Sequence, residues 1–321
     1  MFLHPRRIYV RRPIRGRSMT ILEVLSAAAG YLKDHAVDSP RLNAEHLLAH
    51  VLGMKRLGLY LEFDRPLADI ERRRLRSLVR DRGAGKPLQH LLGTAEFVGR
   101  SFLSDKRALI PRPETEQLVE LFLRDPRSQR AGTKVLDVGT GSGVIAITLA
   151  LQLPQAVVRG TDISCEALSL ARENASRHSL NGKIILAEAD LFPPGDDVFD
   201  CVIANLPYIA SDEIRALQRE VRHDPLVALD GGPDGLRLVS RLIECAAARL
   251  APDGLLALEI GHQQAGRVLP RLAARGYREI AVHKDYQNVE RFVWASAPEP
   301  SEAGENCSDT ASKKGYLSPC D

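Results

Sequence analysis

The stretch Lys134-Val135-Leu136-Asp137-Val138-Gly139-Thr140-Gly141-Ser142-Gly143, continued by Val144-Ile145-Ala146-Ile147-Thr148-Leu149-Ala150-Leu151, runs a short apolar strand into an apolar helix through three glycines. Glycines at such a junction let the chain turn sharply and let a ligand approach the main chain. The helix start beyond them offers unpaired N–H groups and a partial positive charge, which suit an anionic group. The spacing is G-x-G-x-G, and Val144 stands where a dinucleotide fingerprint has its third glycine. No Lys-Ser or Lys-Thr pair follows, as a triphosphate-binding loop requires.

Outward from this junction, strand and helix patterns alternate. Candidate strands are 134–138, 157–161, 183–187, 199–204, 254–260, 277–283 and 290–295. Helical patterns lie near 143–152, 165–178 and 234–250, with a short turn at 189–196. The order predicts an α/β fold, a mostly parallel seven-stranded sheet with helices on both faces and an antiparallel edge. Upstream, residues 20–82 are helical in pattern. Leu42, Ala44, Leu47, Leu48, Val51 and Leu52 recur at helical spacing, after Asp38, Ser39 and Pro40 and before Gly53. Gly83-Ala84-Gly85-Lys86-Pro87 breaks that pattern. Residues 88–110 read as extended pieces, with Glu96-Phe97-Val98 and Arg107-Ala108-Leu109-Ile110 as candidates, and Pro113 is placed to open a helix. The expected organisation is a basic extension without fixed structure at 1–18, a small helical domain at 19–86, a hairpin linker at 87–112, the α/β domain at 113–297 and a disordered tail at 298–321.

Composition narrows the function classes. Six arginines and no acid fall within residues 1–18; without them the chain has 38 basic against 41 acidic residues, so the body lacks the basic footprint of a nucleic-acid binder. The Arg-rich start reads as an extension, with a targeting segment as the other reading. No apolar run approaches the roughly 18 residues of a membrane span. The five cysteines form no C-x-x-C pair, so their spacing suggests neither a zinc site nor a disulfide framework, and a cytoplasmic setting is expected. His46 and His50 are four apart with no third ligand in view, so no metal is expected.

The chemistry sits at strand ends. Asp162 closes the second strand about 20 residues beyond the glycines, where a carboxylate can accept both hydroxyls of a ribose. Asp190, after the third strand, is either an adenine partner or a helix cap. The fourth strand ends in Asn205-Leu206-Pro207-Tyr208. An amide or exocyclic amine nitrogen is a poor nucleophile, because its lone pair is delocalised. A site that methylates one must grip its N–H groups with acceptors. The Asn205 side-chain oxygen and the Leu206 carbonyl supply two, and Tyr208 supplies an aromatic face near a sulfonium. Orientation in a dry pocket, rather than a strong base, then supplies the acceleration.

These features resemble the HemK family of protein-glutamine methyltransferases that modify peptide chain release factors. The likeness spans roughly residues 20–295. It includes Leu47-Leu48 to Gly53, Gly85-Lys86-Pro87-Leu88-Gln89, Leu109-Ile110-Pro111-Arg112-Pro113-Glu114-Thr115-Glu116, Gly231-Gly232-Pro233-Asp234-Gly235-Leu236, Leu258-Glu259-Ile260-Gly261 and Lys284-Asp285-Tyr286. The Ile-Pro-Arg-Pro-Glu-Thr-Glu element is the most specific. The resemblance implies a Rossmann-like class I methyltransferase domain behind a helical domain that recognises the substrate. It implies S-adenosyl-L-methionine as cofactor, and the glutamine of the Gly-Gly-Gln loop of class 1 release factors as target. It assigns Gly139, Thr140, Gly141, Ser142, Gly143, Asp162, Leu191 and Asn205 to the cofactor, and Asp190 joins them on its own reading as an adenine partner. Asn205, Leu206, Pro207 and Tyr208 are assigned to the substrate, with Asn205, Pro207 and Tyr208 catalytic. A monomer that binds neither membrane nor nucleic acid is expected.

One departure stands out: the family usually reads Asn-Pro-Pro-Tyr, and Leu206 frees a φ angle and adds an N–H. Asn-Leu-Pro-Tyr also occurs in ribosomal RNA adenine dimethyltransferases, which makes methylation of an adenine amine the rival reading. A nicotinamide-dependent oxidoreductase is disfavoured by the missing glycine. A non-catalytic binding module that retains the cofactor fold is the remaining alternative.

Overall fold

The computed structural model describes residues 19–299, so the expectations for residues 1–18 and 300–321 lie outside the described residues. The chain divides into two compact units, one ending at Leu92 and one beginning at Gly93.

Among its described residues the first unit holds five helices, α1 (Ile21–Asp34), α2 (Pro40–Leu52), α3 (Arg56–Leu61), α4 (Asp69–Gly83) and α5 (Leu88–Leu92). Thr20 and Glu23 start α1 with reciprocal side-chain and backbone bonds, a capping box. Its buried residues Ile21, Val24, Leu25, Ala28 and Leu32 fall on one stripe. Pro40 opens α2, and Gly53, at φ +64°, closes it. Three polar residues, Asn43, Glu45 and Arg82, are buried with partners among the described residues of this unit. Arg82 donates to Asn43 Oδ1 at 2.7 Å. Glu45 accepts from Arg41 at 2.9 Å, Arg56 at 2.9 Å and Tyr60 at 2.5 Å. Burial alone pushes the Glu45 carboxyl up, but these bonds hold it below its ordinary range.

The second unit opens with a hairpin, β1 (Thr94–Phe97) and β2 (Arg100–Leu103). Its turn residues Val98 and Gly99 both have positive φ, the pattern of a tight two-residue turn. The hairpin therefore lies upstream of Arg107–Ile110, which forms no strand, and residues 88–92 are helical rather than extended. Alternation explains why: Phe97 and Phe102 point to one face and are fully buried with Leu118, Val119 and Phe122.

There follow α6 (Pro113–Arg124), β3 (Lys134–Val138), α7 (Val144–Gln152), β4 (Val157–Asp162), α8 (Cys165–Arg177), β5 (Ile185–Glu188), β6 (Phe199–Ala204), α9 (Arg237–Ala246), β7 (Leu250–Glu259), α10 (Ala265–Ala274), β8 (Arg278–Lys284) and β9 (Glu290–Ser296). The sheet order is β5-β4-β3-β6-β7-β9-β8. The first five are parallel, and β9 pairs antiparallel with β7 and β8. This is the mostly parallel seven-stranded sheet with an antiparallel edge that the sequence pattern predicts, and the Rossmann-like class I methyltransferase arrangement that the resemblance implies.

Each central strand is apolar on both sides, because both faces are covered. Val135, Cys201, Ile203, Leu255, Ala257, Phe292 and Trp294 face the core that includes α6 and α7. Their sequence neighbours Leu136, Val202, Ala204, Leu256, Leu258, Val293 and Ala295 face the core that includes α9 and α10. Between β6 and α9 the chain makes three single turns of 3₁₀ helix, Glu213–Ala216, Val221–His223 and Leu226–Ala228, where the sequence shows no periodicity. No described helix is long and apolar enough to cross a membrane.

If the hairpin is part of this core, Phe102→Ala lowers stability by about 3–5 kcal/mol. Chemical denaturation followed by tryptophan fluorescence reads this directly, since Trp294 lies in the same cluster. A change under about 1 kcal/mol would mean that the hairpin is only a tether.

Candidate active site

Strand order reverses beside β3: β4 and β5 extend the sheet one way and β6 and β7 the other. Their C-terminal ends open a crevice, the usual ligand position of such sheets. The crevice is a cavity of about 510 Å³ whose wall includes Gly139, Gly141, Asp162, Asp190, Leu191, Asn205, Leu206 and Pro207. Residues separated by up to 68 positions therefore meet in one space.

The glycine loop is fixed from behind. The Gly139 and Thr140 N–H groups both donate to the Thr161 carbonyl at 2.8 Å. Asp137 is fully buried; its Oδ2 accepts from the Thr140 hydroxyl at 2.6 Å and from the Ala146 N–H, in the first turn of α7, at 3.1 Å. Burial pushes this carboxyl up to about 7, against those two bonds. Asn174, also buried, donates to the Ser142 carbonyl at 2.9 Å and exchanges bonds with the Leu103 main chain, which ties the loop to the hairpin. Gly143 sits at φ +82°, and a side-chain carbon there would lie 2.9 Å from Ile147 Cδ1 and 3.1 Å from Ala171 Cβ, so only glycine fits. Thr140, Ser142 and Gly143 thus shape the loop from outside the cavity wall, while Gly139 and Gly141 face it.

Asp162 accepts from the Gly141 N–H at 2.8 Å and the Ser164 N–H at 2.9 Å. Burial raises its carboxyl, and backbone N–H groups oppose the rise. Each oxygen keeps a lone pair for a ligand hydroxyl. Asp190 is held by Arg241 through two bonds, 2.8 and 3.2 Å, and both residues line the cavity. Leu191 is buried at φ +73°, a rare state for leucine. The Thr161 hydroxyl donates to its carbonyl at 2.6 Å and holds it there.

At the end of β6, the Asn205 Nδ2 donates to the Thr115 hydroxyl at 2.9 Å, and that hydroxyl donates to Glu259 Oε2 at 2.8 Å. Leu206 is buried in the core, its Cδ2 lying 2.9 Å from where a Gly139 side chain would begin. Packing therefore immobilises this residue where a proline ring would otherwise do so. The Leu206 carbonyl has no hydrogen-bond partner among the described residues. Tyr208 does not line the cavity. Its hydroxyl faces Glu259 Oε1 at 3.5 Å, its carbonyl accepts from Gln264 at 2.9 Å, and burial pushes its hydroxyl far above the usual phenol range.

Two further devices hold the turn. Gly231 approaches the Pro207 carbonyl so closely that a side-chain carbon would lie 2.7 Å from it, and one at Gly235 would overlap the Tyr208 carbonyl. Asp224, fully buried, accepts from Arg112 at 2.5 Å and the Ile110 N–H at 3.2 Å. That pair anchors the single-turn helices whose exposed Leu226 and Val227 form the cavity rim. Sequence reasoning found the strand-end acids and the Asn205 turn, and missed Thr115, Glu259, Arg241 and the rim. The Ile-Pro-Arg-Pro-Glu-Thr-Glu element was the available signal, since it contains both Arg112 and Thr115.

Known proteins resemble this chain over most of its length. Residues 23–93 match the family described as PrmC N-terminal domain, and residues 129–227 match a family described as Methyltransferase domain. The release factor glutamine methyltransferase of Geobacter sulfurreducens is 43% identical over 276 residues, covering 85% of this chain and 95% of its own length. That of Deinococcus radiodurans is 41% identical, covering 86% and 98%. The chain belongs to the release factor glutamine methyltransferase family. The crystal structure of the hMettl16 catalytic domain in complex with MAT2A 3'UTR hairpin 6 superposes at a TM-score of 0.52 with 15% identity, over 73% of this chain and 84% of that one, and so shares its fold.

In this family member, Gly235→Ala should displace the Asn205–Tyr208 turn. Methyl transfer is then expected to fall at least about tenfold and stability by about 1–3 kcal/mol. Gly266→Ala, in α10 with nothing within 4 Å, is the control and should be neutral or stabilising by up to about 1 kcal/mol. Thermal unfolding and a methyl-transfer assay read both; equal behaviour of the two variants would remove the proposed contact.

Proposed function

We propose that the chain methylates the side-chain amide nitrogen of the glutamine in the Gly-Gly-Gln loop of class 1 release factors, with S-adenosyl-L-methionine as methyl donor, in translation termination. The observation that carries this reading is that Asn205, Leu206 and Pro207 line the same cavity as Gly141 and Asp162. The relatives' names support the same substrate.

The residues fit the cofactor. Gly141 leaves room against the main chain, since an added carbon there would meet only Ala108 at 4.0 Å. Asp162 accepts from the ribose hydroxyls, Leu191 packs beside the adenine, and Asp190 accepts from its amine while Arg241 holds the carboxylate. When bound, the cofactor supplies an electrophilic methyl group on a sulfonium.

The Asn205 Oδ1 and the Leu206 carbonyl accept from the two N–H groups of the glutamine. They turn its nitrogen toward the methyl and raise the electron density on it. Pro207 fixes the direction of the turn, and Tyr208 backs it rather than stacking on the substrate. The cofactor would supply its methyl to this nitrogen and leave as a neutral thioether, and the nitrogen would release one proton to solvent, since Asn205 and the Leu206 carbonyl only orient it. The same acceptor pair suits the adenine amine of RNA, but the relatives and the Ile110–Glu116 element favour glutamine. A monomer in the cytoplasm, without membrane or nucleic-acid contacts, completes the reading.

Mass spectrometry of a class 1 release factor after incubation with enzyme and cofactor should show one added methyl on the loop glutamine. Asn205→Ala should cut turnover about 10²–10³-fold and change cofactor affinity by less than about threefold. Equal losses would mean that Asn205 chiefly holds cofactor, and transfer to RNA alone would favour the adenine reading.

A further inference from the structure

We propose that Thr115 and Glu259 are positioning residues that set the polarity of the Asn205 carboxamide, so that its oxygen rather than its NH2 faces the substrate. This rests on the role given to Asn205 above. A carboxamide has two nearly isosteric ends, and nothing in its shape prevents a half-turn that exchanges them. The exchange would be fatal here, because an NH2 would then confront the N–H groups of the amide it must grip.

Hydrogen counting removes the ambiguity. Thr115 is 4% exposed and Glu259 1% exposed, so their hydrogen bonds are made with each other and with their neighbours. An ionised carboxylate only accepts, and Glu259 Oε2 lies 2.8 Å from the Thr115 hydroxyl. That bond uses the one proton Thr115 has. Toward Asn205, Thr115 can then only accept, and the group 2.9 Å away must be the NH2. The Asn205 oxygen is left for the cavity.

The chain of bonds draws on three elements far apart in sequence. Thr115 is in the first turn of α6, opened by Pro113. Asn205 follows β6, and Glu259 ends β7, paired with Phe292 of β9. The groups that face Glu259 are Thr115 and Glu114 from α6, Tyr208 from the turn after β6 and Arg291 from β9. Burial pushes the Glu259 carboxyl up to about 7, with Thr115, Arg291 and Tyr208 pulling it down and Glu114 adding to the rise.

The sign follows. Above that value Glu259 is an acceptor and the relay points correctly. Below it the carboxyl gains a proton and can donate to Thr115, whose own proton then turns to Asn205 and favours the reversed carboxamide. Turnover therefore falls with a single-proton slope as pH drops through about 7.

The test compares Thr115→Ser, Thr115→Val and Glu259→Gln in the full chain, using wild-type release factor and cofactor. Thr115→Val keeps the shape and loses the hydroxyl, so kcat should fall about 10- to 100-fold with cofactor Kd within about threefold. Thr115→Ser restores the hydroxyl and should recover to within about threefold of wild type. Glu259→Gln cannot ionise, so its pH profile should lose the acid limb expected of wild type near pH 7. The relay is wrong if Thr115→Val and Thr115→Ser turn over alike, or if Glu259→Gln keeps the wild-type acid limb. Should Thr115→Val fail to fold, the Glu259→Gln profile alone decides. Wild-type transfer to RNA instead of glutamine would defeat the functional reading. The serine–valine contrast, measured on that amine, would still decide the relay.

Discussion

The molecule depends on one topological constraint, the reversal of strand order beside β3. Parallel strands that leave β3 in both directions must open a gap at their C-terminal ends, and Gly139, Gly141, Asp162, Asp190 and Asn205 line that gap. The glycine loop, Asp162, Asp190 and the Asn205 turn come from four different strand ends. Each is ordinary alone. The sheet brings them within one cavity and supplies a scaffold packed by apolar side chains on both faces.

Buried polar groups then specify the geometry. Asp137, Asp162, Asp224 and Glu259 are carboxyls whose burial raises them, and each is held by named donors. A buried carboxylate is costly unless donors hold it, so the backbone around each has little freedom, although the buried Asp137 Oδ1 has no partner among the described residues. Asp137 fixes the glycine loop, Asp162 joins that loop to β4, Asp224 fixes the rim, and Glu259 reaches Asn205 through Thr115. The Asn205 turn offers neutral acceptors rather than a strong base, which suits a reaction in which orienting a weak nucleophile is the main task.

Much of this was legible in the chain. The strands showed as short apolar runs because both faces are buried, and their limits came out within a few residues. The glycine spacing and Asp162 marked one wall of the cavity. Other parts were not legible, for physical reasons. Thr115 and Glu259 are 144 residues apart, and no local pattern encodes a hydrogen bond between them. The Asp190–Arg241 pair is equally non-local. The hairpin was placed too late because Arg107–Ile110 is apolar enough to resemble a strand, whereas the deciding signal is the positive-φ pair Val98-Gly99. The cost expected from Leu206 is offset by burial, which a sequence motif cannot express.

The central claim is that Asn205 and the Leu206 carbonyl grip a carboxamide nitrogen beside the methyl donor. A crystal structure with S-adenosylhomocysteine and a Gly-Gly-Gln peptide tests it most directly. The account requires the glutamine nitrogen about 3 Å from both Asn205 Oδ1 and the Leu206 oxygen, with Asn205 Nδ2 still on Thr115. A glutamine bound elsewhere, or an Asn205 side chain turned out of the cavity, would contradict it.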